Sequence, residues 1–99
     1  MNVKIQTVRF NADDKLVDYI NQKMQKLQIF NGRIVKVDVF LKLDNVVHII
    51  KDKIAEIRVH VPGHNFFAKT TSKSFEESFD EAFDSLLIQM KKKKEKQAA

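Results

Sequence analysis

The chain has no cysteine and no tryptophan, and only one tyrosine, one proline and two glycines in 99 residues. Without cysteine there is no disulfide framework, no zinc ribbon and no thiol nucleophile, a composition that suits a reducing compartment. The glycines, Gly32 and Gly63, lie far apart, so no glycine-rich loop can cradle a phosphate. No window reaches the apolar length of a membrane span, and Met1-Asn2-Val3-Lys4-Ile5 lacks the apolar run of a signal peptide. The expected location is therefore cytoplasmic, with no membrane partner. Phenylalanines placed mostly at core-facing helical positions do not make a stacking platform for nucleobases.

What is present is a 43% apolar fraction with eight phenylalanines, enough for the core of one small domain. Charge is distributed unevenly. Residues 1–90 carry 13 Lys+Arg against 12 Asp+Glu, or +1, while residues 91–96 carry five lysines against one glutamate, or +4 of the total +5. A basic end of this kind attracts polyanions in a salt-dependent way. A solubilising helix end, whose lysines also suit the negative pole of the helix dipole, would look similar. The expected organisation is an α+β domain over residues 1–90 and a basic extension of its last helix over 91–99.

Alternation from Val3 through Val8 to Phe10 predicts a first strand, irregular near Thr7. Leu16, Ile20, Met24 and Leu27 recur at helical spacing over 14–28, with Asp13 as N-cap and a left-handed exit at Asn31-Gly32. Val35, Val37, Val39, Leu41 and Leu43 alternate with Lys36, Asp38, Phe40, Lys42 and Asp44, a strand with one buried face. Ile57, Val59 and Val61 form a second alternating run starting near Lys53. Apolar residues at 46–50 could extend both strands into a long hairpin. Pro62-Gly63 marks a turn before a short strand over 66–70. Ser74 and Glu77 stand in capping-box spacing ahead of a stripe of Phe75, Phe79, Ala82, Phe83, Leu86 and Met90. The order is β-α-β-β-β-α, and two one-sided helices beside alternating strands predict a sheet with both helices packed on one face.

Catalysis finds no foothold. His48, His60 and His64 have no metal-ligand spacing, no carboxylate has an acid–base partner, and neither an enzymatic activity, a metal nor a cofactor is expected. Binding is better supported. Lys15, Lys23 and Lys26 project along one flank of the first helix, and Arg33, Lys36 and Lys42 add charge on and before the long strand, although ordinary solvated faces share this pattern. Glu76, Glu77, Asp80, Glu81 and Asp84 make the start of the last helix acidic, which repels phosphate. Any polyanion must therefore meet the other end of that helix. Outward Phe40 and one of Phe66 and Phe67 remain as a contact surface, a local cluster or a dimer contact.

Several segments carry a more specific signal. They are Leu16-x-x-Tyr19-Ile20-x-x-Lys23-x-x-Lys26-Leu27, then Arg33-Ile34-x-x-Val37-x-Val39-x-Leu41-Lys42-Leu43-Asp44. Val59-His60-Val61-Pro62-Gly63, Ala68, Asp80 and Gln89-x-x-Lys92-x-Lys94-x-Lys96 follow in order. In these the chain resembles the ribosome hibernation-promoting factor family, also described as ribosome-associated inhibitors or sigma-54 modulation proteins. The resemblance implies a four-stranded sheet carrying two parallel helices and a protein that performs no chemistry. It implies binding to the small ribosomal subunit, and so to 16S-type rRNA, in the channel used by messenger and transfer RNA. There it would block translation under stress or in stationary phase, as single ribosomes or as ribosome dimers. It implies Lys23, Lys26, Lys92, Lys94 and Lys96 as rRNA contacts, Gln89 as a polar partner on the same helix end, and Arg33 and Lys42 as further family-like positions. The length resembles the short class. Departures are the acidic Glu76-Glu77 and a longer connection at 45–52. Alternatives are a general structured-RNA binder, or a protein-interaction domain using the acidic helix start and the 46–50 connection.

Overall fold

A computed structural model describes residues 2–44 and 52–98, with side chains through Lys94. The elements are β1 (Asn2–Val8), α1 (Asp14–Phe30), β2 (Lys36–Leu43), β3 (Lys53–Val61), β4 (His64–Ser72) and α2 (Phe75–Ala98). The strands form one sheet in the order β1-β2-β3-β4, with β1 parallel to β2 and the other pairs antiparallel. Both helices cover one face, as the two apolar stripes require.

Alternation decides which face is buried. Val37, Val39 and Leu41 of β2, Ala55, Ile57 and Val59 of β3, and Phe66 and Ala68 of β4 point inward. They meet Leu16, Ile20, Met24 and Leu27 of α1 and Phe79, Ala82, Phe83, Leu86 and Met90 of α2. The Asp13 side chain accepts the Leu16 N–H at 2.8 Å, and Ser74 Oγ accepts the Glu77 N–H at 3.1 Å, so each helix starts on the cap its sequence offers.

Several boundaries differ from the sequence pattern. β1 stops at Val8 because Arg9 takes a left-handed φ of 69°, which turns Phe10 out of the strand to stack on Phe75 with centroids 4.2 Å apart. α1 continues to Phe30, and its exit is not left-handed. Asn31 is extended at φ −142°, and its side chain accepts the Arg33 N–H at 3.0 Å, an Asx-type turn that redirects the chain. Val35 lies outside β2 and is 59% exposed. β4 spans His64–Ser72 because β3 pairs with it along its whole length, from Val61↔His64 to Lys53↔Ser72. Beyond Leu43 one more bond, Asp44 N–H to the Asp52 carbonyl at 2.8 Å, continues the β2–β3 ladder. The longer hairpin expected at 46–50 lies outside the described residues.

The helices are parallel. Tyr19 meets Phe79 and Asp80, Lys23 meets Phe83, and Phe30 meets Lys94, so residue numbers rise together along both. α2 lies over β3 and β4 and is stitched to β4 by side-chain bonds. Ser78 Oγ donates to the Thr70 carbonyl at 2.9 Å, and Thr70 Oγ1 donates to the Ser78 carbonyl. Ser72 Oγ donates to Glu81, and Gln89 Nε2 donates to the Phe67 carbonyl at 2.9 Å.

Candidate nucleic-acid interface at the shared end of the helices

Parallel packing brings the C-terminal poles of both helices to one end of the molecule, where their last carbonyls leave partial negative charge. α1 has no basic residue in its last turn. The compensating cations come from α2, which is seven residues longer than α1 (24 against 17) and passes Phe30. Met90 is 2% exposed and ends the buried stripe. Lys93 and Lys94 follow it by three and four residues, so the helical period returns them to the same face. Lys94 Nζ lies 5.5 Å from the Phe30 ring centroid, within cation–π range.

The α1 exit, the β3–β4 turn and these lysines enclose a cleft of about 360 Å³. Its floor is apolar, from Phe30, Val61, Phe66 and Met90, and its rim carries Arg33, Lys93, Lys94 and His64. Pro62 and Gly63 close one side, with Gly63 at φ 79° where only glycine turns without strain. His64 packs edge-on against Phe66 with centroids 4.5 Å apart. Among the described residues no carboxylate lines the cleft. The arrangement can attract an anion with three fixed positive charges and offer apolar surface behind them.

The residues expected from sequence divide into groups. Arg33 and Lys94 come together here, and exposed Lys26 stands one turn before the α1 exit. Lys92 is exposed on α2 outside the cleft, and the side chain of Lys96 lies outside those described. Lys23 is held at the helix–helix seam: its Nζ lies 2.9 Å from Asp80 Oδ1 and 5.0 Å from the Phe83 ring centroid. Tyr19 donates to the same carboxylate at 2.5 Å. The Asp80 hydrogen bond raises the pKa of Tyr19 and, against some desolvation, that of Lys23. Gln89 uses its amide hydrogens on the Phe67 carbonyl and on Ser85 Oγ, which makes it a strut between α2 and β4. Lys42 is on the opposite face of the sheet, at the far end of β2, with its Nζ 3.1 Å from Glu56. Sequence reasoning gave Lys93 and His64 no particular place. Counting on from Met90 by three would have found Lys93, whereas His64 needs the register of β3 and β4.

The sequence profile of the Sigma 54 modulation protein / S30EA ribosomal protein family matches residues 3–98. The chain belongs to this family. S30EA-family proteins are non-catalytic, ribosome-binding factors. Among the described residues no cluster of His, Asp and Glu is placed to hold a metal ion. No described helix is long and apolar enough to cross a membrane.

Solved structures share the fold over nearly the whole chain. A ribosomal subunit interface protein from Coxiella burnetii superposes with a TM-score of 0.83, covering 95% of this chain and 98% of that one at 19% identity. The Thermus thermophilus Protein Y N-terminal domain gives 0.78, covering 93% and 98% at 26% identity. No curated protein sequence matches the chain.

Proposed function

We propose that this S30EA-family protein is a ribosome hibernation factor of the cytoplasm. It binds the small ribosomal subunit in the messenger and transfer RNA channel and stops translation by occupying that space. The observation that carries the reading is the basic cleft of Arg33, Lys93 and Lys94 at the shared end of two parallel helices. Kinship to a ribosomal subunit interface protein supports the choice of target.

In this reading Lys26, Arg33, Lys92, Lys93, Lys94 and Lys96 meet 16S-type rRNA phosphates. Lys23 and Gln89 hold the elements that present them, and residues 91–99 act as the charged extension of a domain formed by 1–90. The acidic start of α2, with Glu76 and Glu77 in its first turn, points phosphate away from that pole. Recognition is therefore by shape and charge.

Sucrose-gradient sedimentation with purified ribosomes tests this. The wild-type protein is expected in small-subunit and inactive-ribosome fractions, released as salt rises, with Lys93→Gln/Lys94→Gln largely lost from them. The gradient also separates single ribosomes from dimers and so reports which inactive form the protein favours. Equal recovery of the double variant, or equal affinity for unrelated RNA duplexes, would overturn the proposal.

A further inference from the structure

The sheet face opposite the helices has no role in the reading above, and it does not look like plain solvated surface. Strand alternation places Phe40 on β2, Arg58 on β3 and Phe67 on β4 pointing outward. Arg58 and Phe67 are direct cross-strand partners, and Phe40 is diagonal to Arg58 across the β2–β3 pair. The Arg58 guanidinium carbon lies 5.9 Å from the Phe40 ring centroid and 5.3 Å from that of Phe67. Phe67 is 46% exposed. A shallow hollow of about 220 Å³ opens beside it, lined by Arg58, His60, Asn65, Phe66 and Phe67.

The charges around this row decide what it fits. Within the strands the face carries five cations (Lys4, Lys36, Lys42, Arg58 and Lys69) and two carboxylates, a balance of +3 with histidine neutral. Asp44 and Asp52 continue the ladder at its far end, away from the Arg58–Phe67 pair, and bring the whole face to +1. Both carboxylates within the strands are engaged. Glu56 lies 3.1 Å from Lys42 and 3.8 Å from Lys69, and Asp38 lies 3.1 Å from His60. Arg58 has no carboxylate partner among the described residues. A polyanion with flat apolar faces answers both features at once, because bases stack on aromatic rings and guanidinium planes while phosphates meet the flanking lysines. We infer that the outer face of the sheet is a second RNA-binding surface, on which Phe40, Arg58 and Phe67 stack unpaired bases of single-stranded RNA. The sequence argued against a stacking platform because the rings come from strands far apart in the chain, and only the register sets them on either side of one arginine.

The test needs no ribosomes, so its outcome is independent of the hibernation reading. Binding of the whole protein is measured to a single-stranded oligoadenylate and to an abasic RNA of equal length, which keeps the phosphates and lacks the bases. The wild-type protein is expected to prefer the oligoadenylate. Phe67→Ala and Phe40→Ala are each expected to weaken that binding by about 5- to 150-fold while leaving the abasic RNA unaffected. Phe67→Trp is expected to retain affinity, with its emission quenched as bases stack; since it keeps an aromatic ring, it separates stacking from a folding defect. Lys93→Gln/Lys94→Gln is expected to leave the preference for bases intact. Equal affinity for the two RNAs, or unchanged oligoadenylate binding by Phe67→Ala, would overturn the inference. So would self-association in sedimentation velocity that Phe67→Ala abolishes, which would make this face an interface between copies.

Discussion

A lysine's role depends on what stands within reach of its ammonium group, and two of the expected contacts show this. Lys23 shares the Asp80 carboxylate with Tyr19. That hydrogen bond raises the pKa of both groups, so its contribution is complete while both are protonated and is lost as pH rises through the raised values. The wild-type protein should therefore lose stability from about pH 10 upward, and Asp80→Asn should flatten that loss. Near neutrality Asp80→Asn is expected to cost about 1 kcal/mol, limited because the pair is partly exposed. Urea denaturation across a pH series measures both effects. Lys42 offers a second case. Glu56 is 7% exposed, and without Lys42 its remaining cation among the described residues is Lys69 at 3.8 Å. Lys42→Ala is expected to destabilise the fold by about 1–3 kcal/mol in thermal melts, and adding Glu56→Gln should recover part of it. Sequence shows a lysine in either place; it does not show a carboxylate brought near by folding.

At the scale of elements, periodicity located both helices and the strand cores, while tertiary pairing set the boundaries. The stripe from Phe75 to Met90 marks α2 without help from any other segment. The ends of β4 do not announce themselves, because Asn65 and Thr71 belong to the strand only through β3. The exit of α1 departs from the expected left-handed turn for a local reason: the Asn31 side chain accepts the Arg33 N–H, and the backbone at Asn31 is extended. The seating of α2 was also not legible, since a buried serine in a helix gives no directional signal. Ser78 is fully buried and exchanges hydrogen bonds with Thr70, fixing the first half of the helix on the β4 edge. Ser78→Ala is expected to lower the urea midpoint by the equivalent of about 1 kcal/mol without changing the slope. A changed slope would point instead to an altered unfolded state or a loosened native fold.

For the whole molecule, the basic end was legible as charge, and the cleft was not. The lysine run shows where positive potential gathers. Its convergence with Arg33 and the Pro62-Gly63 turn depends on parallel helices of unequal length. A salt titration checks that convergence. If Lys93 and Lys94 each neutralise a phosphate, replacing both with glutamine should reduce the log–log salt slope of RNA binding by about 1.4–1.8. A smaller change would place them outside the contact.

α2 begins with Glu76 and Glu77 and carries Lys91–Lys94 in its second half, roughly 20 Å of helix later at 1.5 Å per residue. In the field of a polyanion such a body feels a torque as well as an attraction. It rotates before it touches, so that most encounters begin lysines first. Orientation, commonly the slow part of finding a partner, is thereby supplied during diffusion.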